Sequence, residues 1–174
     1  MNETADLPWT KKDIWLNLIA IIVLMGLATY MIFVKSWVLL IIYWLIWILY
    51  FTVGRYVTCH HCDFLGKACC SWCMGKIGGK LYKRSEKKNF VENGMWKVFV
   101  FALSFLFIAE LLPIILYLYE LFTNGLNLLD WLLLIIYFII FIVMNAIHLT
   151  FGCNRCPTVD CPFNRKKKKT GSVQ

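Results

Sequence analysis

The chain has 174 residues, 60% of them hydrophobic and 16% charged, and its mean hydropathy is +0.67. Soluble domains average roughly 45–50% apolar and about 25% charged, and one small globule cannot hide this much apolar surface. The composition excludes a disordered chain, a collagen-like chain and a small secreted disulfide scaffold, and it points to an integral membrane protein. A net charge of +8 would suit nucleic acid in a soluble protein. In a membrane protein it is expected on cytoplasmic loops, so no nucleic-acid partner is expected.

Residues 1–13 form a short N-terminal segment ahead of four apolar stretches: Ile14–Val34, Trp37–Val53, Val98–Phe122 and Leu128–Phe151. A helix crosses the hydrocarbon core with about 20 apolar residues, in a usual range of roughly 17–25. All four stretches qualify. The first does not read as a cleaved signal: Glu3, Asp6 and Asp13 precede it and no small-x-small site follows it. The expected fold is an all-α integral membrane protein of four transmembrane helices in two hairpins, 14–53 and 98–151. A basic, Cys-rich loop (54–97) separates them, and a basic, Cys-containing tail (152–174) follows.

Every Lys and Arg except Lys35 falls in the N-terminal segment, the central loop or the tail. Positive residues in short loops stay inside. A multi-pass protein of the cell membrane with both termini cytoplasmic is therefore expected. Trp and Tyr crowd the helices; Trp44 and Trp47 lie mid-helix and are expected to pack against neighbouring helices or lipid.

The eight cysteines all lie in the loop or the tail. Five follow the second stretch: Cys59, Cys62, Cys69, Cys70 and Cys73. Three follow the fourth: Cys153, Cys156 and Cys161. Each group opens with Cys-x-x-Cys and adds a further Cys, seven residues on at Cys69 and five on at Cys161, which resembles a weak twofold repeat. Cytoplasmic thiols are kept reduced, and clustered reduced thiols read as metal ligands or redox groups. Cys-x-x-Cys places two thiolates on one tight turn, both able to reach one zinc ion at about 2.3 Å. An iron–sulfur cluster uses the same four-thiolate set, and Cys161-Pro162 resembles the Cys-Pro that ends many cluster-binding runs. The expected ligands are Cys59, Cys62, Cys153 and Cys156, with Cys69, Cys73 and Cys161 closing a third corner or a second site. Adjacent residues seldom both ligate one ion, so Cys70 beside Cys69 is expected to be spare. Acylation of Cys69, Cys70 and Cys73 is the alternative use of those thiols. His60 and His61, inside the first pair, and His148, ahead of the second, could each supply a nitrogen.

The loop's Gly-Lys steps do not form a phosphate-binding loop, because the G-x-x-x-x-G-K-[ST] order is missing. Lys76–Lys88 is basic with Ile77, Leu81 and Tyr82 interspersed, and anionic lipid headgroups are its expected partner. The Arg165–Lys169 run reads as a lipid-attracted tail. Glu110 falls near the middle of the third stretch, three residues before Pro113. A mid-bilayer carboxylate is costly unless protonated, paired or hydrated, so Glu110 marks an intramembrane polar site or a protonated acid bonded to a neighbour such as Tyr137. Glu120 and Asp130 lie near the outer interface and need no special role. Asn145 is expected to donate a hydrogen bond between helices.

Four spans, cytoplasmic termini and a Cys-rich loop holding Thr58-Cys59-His60-His61-Cys62-Asp63 are similar in architecture to the Asp-His-His-Cys palmitoyltransferases. This chain lacks the Asp before His-His, the Pro-Trp after the Cys and the long run of Cys and His zinc ligands. The likeness therefore implies a layout and no activity. Two functions follow from the residues themselves. One is a cytoplasm-facing Cys-ligated centre: either structural zinc or an iron–sulfur group serving electron transfer beside a membrane-protein partner. The other is a small transporter of soft metal or other ions, using Glu110 and the cytoplasmic thiols.

Overall fold

A computed structural model of the chain describes residues 8–54, 56, 59, 64–67, 69, 74–83 and 96–155, with backbone alone at 74 and 96–99. The described residues contain five α-helices: α1 (Lys11–Lys35), α2 (Trp37–Leu49), α3 (Met74–Leu81), α4 (Trp96–Thr123) and α5 (Leu128–Ile147). No strand occurs among them. Four helical segments are long and apolar enough to cross a membrane: Lys11–Lys35, Trp37–Gly54, Val100–Thr123 and Leu128–Arg155. The apolar stretches of the sequence thus mark the spans to within a few residues.

Local chemistry sets the boundaries. Helix α1 starts three residues before its apolar stretch because Thr10 and Asp13 form a capping box. The Asp13 amide donates to Thr10 Oγ1 (3.2 Å) and the Thr10 amide to Asp13 Oδ2 (3.0 Å). Ser36 alone separates α1 from α2. Its extended backbone breaks the helix, its amide closes α1 on the Ile32 carbonyl (2.7 Å), and its hydroxyl accepts from the Leu39 amide to open α2. Asn127 opens α5 in the same way, accepting from the Asp130 amide at 2.9 Å.

Pro113 does not interrupt α4, which runs unbroken from Trp96 to Thr123. A proline deprives the carbonyl four residues earlier of its donor, and in a membrane the surroundings must re-satisfy the freed backbone. The Tyr137 hydroxyl of α5 donates to the neighbouring Glu110 carbonyl at 2.7 Å, which fastens α5 to α4 at that depth.

Helix α1 packs chiefly on α5 and also touches α2 and α4, while α2 lies along α4, and α4 along α5. The core between them is aromatic and branched: Leu24, Met31, Tyr43, Trp47, Tyr117 and Tyr137 are almost wholly buried. Trp44, in contrast, faces outward, as do Trp15 and Trp37 near opposite ends of α1 and α2. An outward surface rich in Ile, Leu, Val and Phe suits lipid, which solvates such side chains as well as a core does.

Asn145 departs from expectation. Its amide donates to the Phe141 carbonyl within α5 (3.0 Å), and among the described residues it makes no bond to another helix. Four residues separate the two, so the bond is the local one that helical geometry offers first. Asn17 of α1 makes the polar contact between helices instead, as the site below shows.

Candidate functional site at the cysteine end of the bundle

Helices α2 and α5 end in the same way. Each widens into a five-residue π-helical turn, Tyr50–Gly54 after α2 and His148–Gly152 after α5, and each turn closes on a buried glycine. The sequences Thr52-Val53-Gly54 and Thr150-Phe151-Gly152 match in residue class, a repeat that extends the Cys-x-x-Cys likeness back into the spans. A π-turn shifts the exit direction of the chain. A Cβ on Gly54 would stand 3.0 Å from the Tyr50 ring of the same turn and in ordinary contact, at 3.4 Å, with the Ala102 Cβ of α4, so a side chain there would press chiefly on Tyr50. Cys153 follows the second turn directly, and Cys59 follows the first after four intervening residues.

Trp9 joins the two halves. Its indole Nε1–H donates to the Gly152 carbonyl at 3.0 Å, and its ring meets Phe64 edge-on with centroids 4.9 Å apart. Phe64 comes two residues after Cys62, and Gly152 immediately precedes Cys153. One buried side chain thus touches the flank of each Cys-x-x-Cys pair. Sequence reasoning passed over Trp9; the repeated Thr-x-Gly turn was the signal that could have pointed to its acceptor.

Below Trp9, α1 is tied to the end of α5 by polar contacts. Arg155 Nη1 reaches Asp13 Oδ2 at 2.7 Å, and its guanidinium lies 5.3 Å from the Phe151 ring centre. Asn17 Nδ2 donates to the Asp13 carbonyl (3.0 Å), which turns Asn17 Oδ1 toward His148 Nδ1 at 3.3 Å. In the tautomer that satisfies this contact, His148 carries its proton on Nδ1 and its lone pair on Nε2. That is how a second partner commonly orients a metal-binding imidazole.

Of the loop cysteines, Cys59 and Cys69 sit against α3. The Gly75 amide donates to Cys69 Sγ at 3.1 Å, and both Cys69 and Cys59 are buried. A Cβ on Gly75 would lie 2.6 Å from the Lys67 carbonyl oxygen and 2.8 Å from that of Phe64, so only glycine fits. The Gly66 amide in turn donates to the Gly75 carbonyl at 2.8 Å. Tyr82, just past α3, donates through its hydroxyl to the Thr52 carbonyl (3.1 Å), hanging this loop from the end of α2.

Of the expected ligands, Cys59, Cys69 and Cys153 are described, the first two buried and the third half-buried. Cys62, Cys73, Cys156 and Cys161 lie outside the described residues, as do Cys70, His60 and His61. Among the described residues, no three His, Cys, Asp or Glu side chains stand together closely enough to hold a metal ion.

Glu110 is 2% exposed, within α4. The expected bond from Tyr137 does form, but to the backbone carbonyl of Glu110 and not to its carboxyl. Tyr43 of α2 and Tyr137 of α5 are within electrostatic reach of that carboxyl. The Trp47 ring lies one turn from Tyr43, their centroids 6.3 Å apart. Glu110 is thus a buried carboxyl between α2 and α5 with no salt-bridge partner among the described residues.

The chain matches no known family model, no curated protein and no solved structure.

Proposed function

We propose that this is a polytopic membrane protein of two helical hairpins whose cysteine end faces the cytoplasm and carries a thiolate-ligated metal centre joining the two. Cys59 and Cys62 contribute from the first half, Cys153 and Cys156 from the second. Cys69, Cys73 and Cys161 extend the ligand set. The observation that carries this reading is Trp9, which bridges Phe64 and Gly152 and so draws together the flanks of the two Cys-x-x-Cys pairs. The Gly75 amide, donated to Cys69 Sγ, holds one of the loop sulfurs against α3.

Zinc is the simplest occupant, because four thiolates complete its tetrahedron and nothing else is required. Its role is then structural. The binding free energy of such an ion is folding free energy, and it fastens two hairpins that have almost no soluble domain between them. An iron–sulfur cluster would use the same ligands and make the chain an electron-transfer subunit beside a membrane partner.

Anaerobically purified protein separates these. The expected result is a colourless protein with stoichiometric zinc by elemental analysis. Cys→Ser at Cys59, Cys62, Cys153 or Cys156 should remove the metal, while Cys70→Ser should leave it in place. Loss confined to Cys69, Cys70 and Cys73 would sink the joint centre and favour acylation of the loop. Orientation is tested separately: alkaline phosphatase fused to the C-terminus should be inactive and a fluorescent protein there bright. An active phosphatase fusion would place the thiols outside and remove the premise of reduced ligands.

A further inference from the structure

Helix α3 has two dissimilar sides. Eight residues at 1.5 Å each make it about 12 Å long. Its inner side is glycine: Gly75 and Gly79 press against the backbone of Phe64, Gly66 and Lys67, and Gly78 stands next to Cys59. Its outer side carries Ile77 and Leu81, one turn apart and 48% and 62% exposed, with exposed Lys80 between them in sequence and Lys83 just beyond. Apolar side chains are therefore turned away from the protein, on a helix whose inner side is taken up by glycines packed on backbone.

The position of α3 gives that arrangement a reason. The Tyr82 hydroxyl holds the Thr52 carbonyl at 3.1 Å, and the Tyr82 ring packs on Tyr56 at 5.1 Å between centroids. Thr52 lies in the last turn of the second span, Trp37–Gly54. The C-terminal end of α3 is thereby pinned where that span leaves the hydrocarbon. No carboxylate occurs anywhere from Phe64 to Lys83, so the segment's positive charge has no acidic residue of its own to neutralise it.

We propose that the outer face of α3 is a docking surface for anionic phospholipid headgroups. Ile77 and Leu81 enter the boundary between headgroups and acyl chains, and Lys80 and Lys83 extend their stems across it to meet phosphates. The opposite charge of such a surface is the partner that the lysines fit, and the depth is fixed by the tether to Thr52. This reading is independent of the metal centre.

The test is amide hydrogen exchange over residues 74–83 of the full chain, in nanodiscs of phosphatidylcholine alone and in discs also containing phosphatidylglycerol. Exchange is expected to be slower in the anionic discs. In Lys80→Gln and Lys83→Gln variants that advantage should shrink by about fivefold per lysine, with exchange in α1 and α4 unchanged. Ile77→Ser/Leu81→Ser should speed exchange in both kinds of disc. Equal exchange of the unaltered protein in the two lipid compositions would overturn the proposal. So would a single-stranded RNA oligonucleotide that protects α3 in phosphatidylcholine discs more than the anionic lipid does, since the basic face would then belong to nucleic acid.

Discussion

If the proposed metal centre joins the two halves, Trp9→Ala is expected to release its metal and lower thermal stability in detergent together. The indole is buried, and removing a buried large aromatic side chain typically costs about 3–5 kcal/mol. Part of that cost is packing against Phe64; part is the Gly152 carbonyl, left at 3.0 Å from nothing when the Nε1–H is gone. Trp9→Phe separates the two. It keeps an aromatic ring beside Phe64 and loses only the hydrogen bond, worth about 1 kcal/mol. If the ring brings the Cys-x-x-Cys pairs together, Trp9→Phe should retain most of the metal and Trp9→Ala little. Full metal in Trp9→Ala, with lowered stability, would show that each pair holds its own ion and that Trp9 is packing alone.

The contrast between what could be read from the sequence and what could not has a physical basis. The four spans were legible because hydrocarbon thickness imposes a length, and no other part of the chain sustains that length without charge. Pro113 was legible as a residue but not as an event. Whether a proline breaks a membrane helix depends on what surrounds the freed carbonyls, and here Tyr137 of another helix supplies a donor beside them. Asn145 and Asn17 carry the same amide toward the same end of the bundle, yet of the two only Asn17 meets a side chain from another segment. The difference lies in helix rotation, which so uniformly apolar a helix does not encode in its pattern. The metal hypothesis came from cysteine spacing, but the contact between Phe64 in the loop and Gly152 beside Cys153 comes through the indole of Trp9, far away in sequence. Even so, the Thr-x-Gly repeat ahead of both Cys groups was visible, and it marks where both π-turns form.

The opposite end of the bundle carries the last prediction. Lys35 is the one basic residue that the charge distribution left on the far side, and the structure supplies its counterions. Its Nζ lies 3.2 Å from Asp130 Oδ2 and 3.6 Å from Glu120 Oε1, and 5.3 Å from the centre of the Tyr117 ring. The two acids that seemed to need no role at the interface thus clamp the end of α1 to α4 and α5. All three side chains are mostly buried, at 15%, 25% and 8% exposure for Lys35, Glu120 and Asp130. Removing one member of such a group leaves uncompensated charge, which typically costs about 3 kcal/mol or more, whereas replacing the whole group with neutral side chains is often nearly free. Lys35→Met should therefore lower thermal stability sharply, and Lys35→Met/Glu120→Gln/Asp130→Asn should recover most of the loss. Both are read from unfolding of the purified protein in one detergent. A triple variant as unstable as the single one would mean that the aliphatic stem of Lys35 and its contact with Tyr117, and not the ion pairs, hold this end. An unperturbed single variant would mean that water or lipid headgroups neutralise the two acids as well as Lys35 does. In either case α1 would be tied to α5 chiefly at the other end, through Asp13, Asn17 and Trp9.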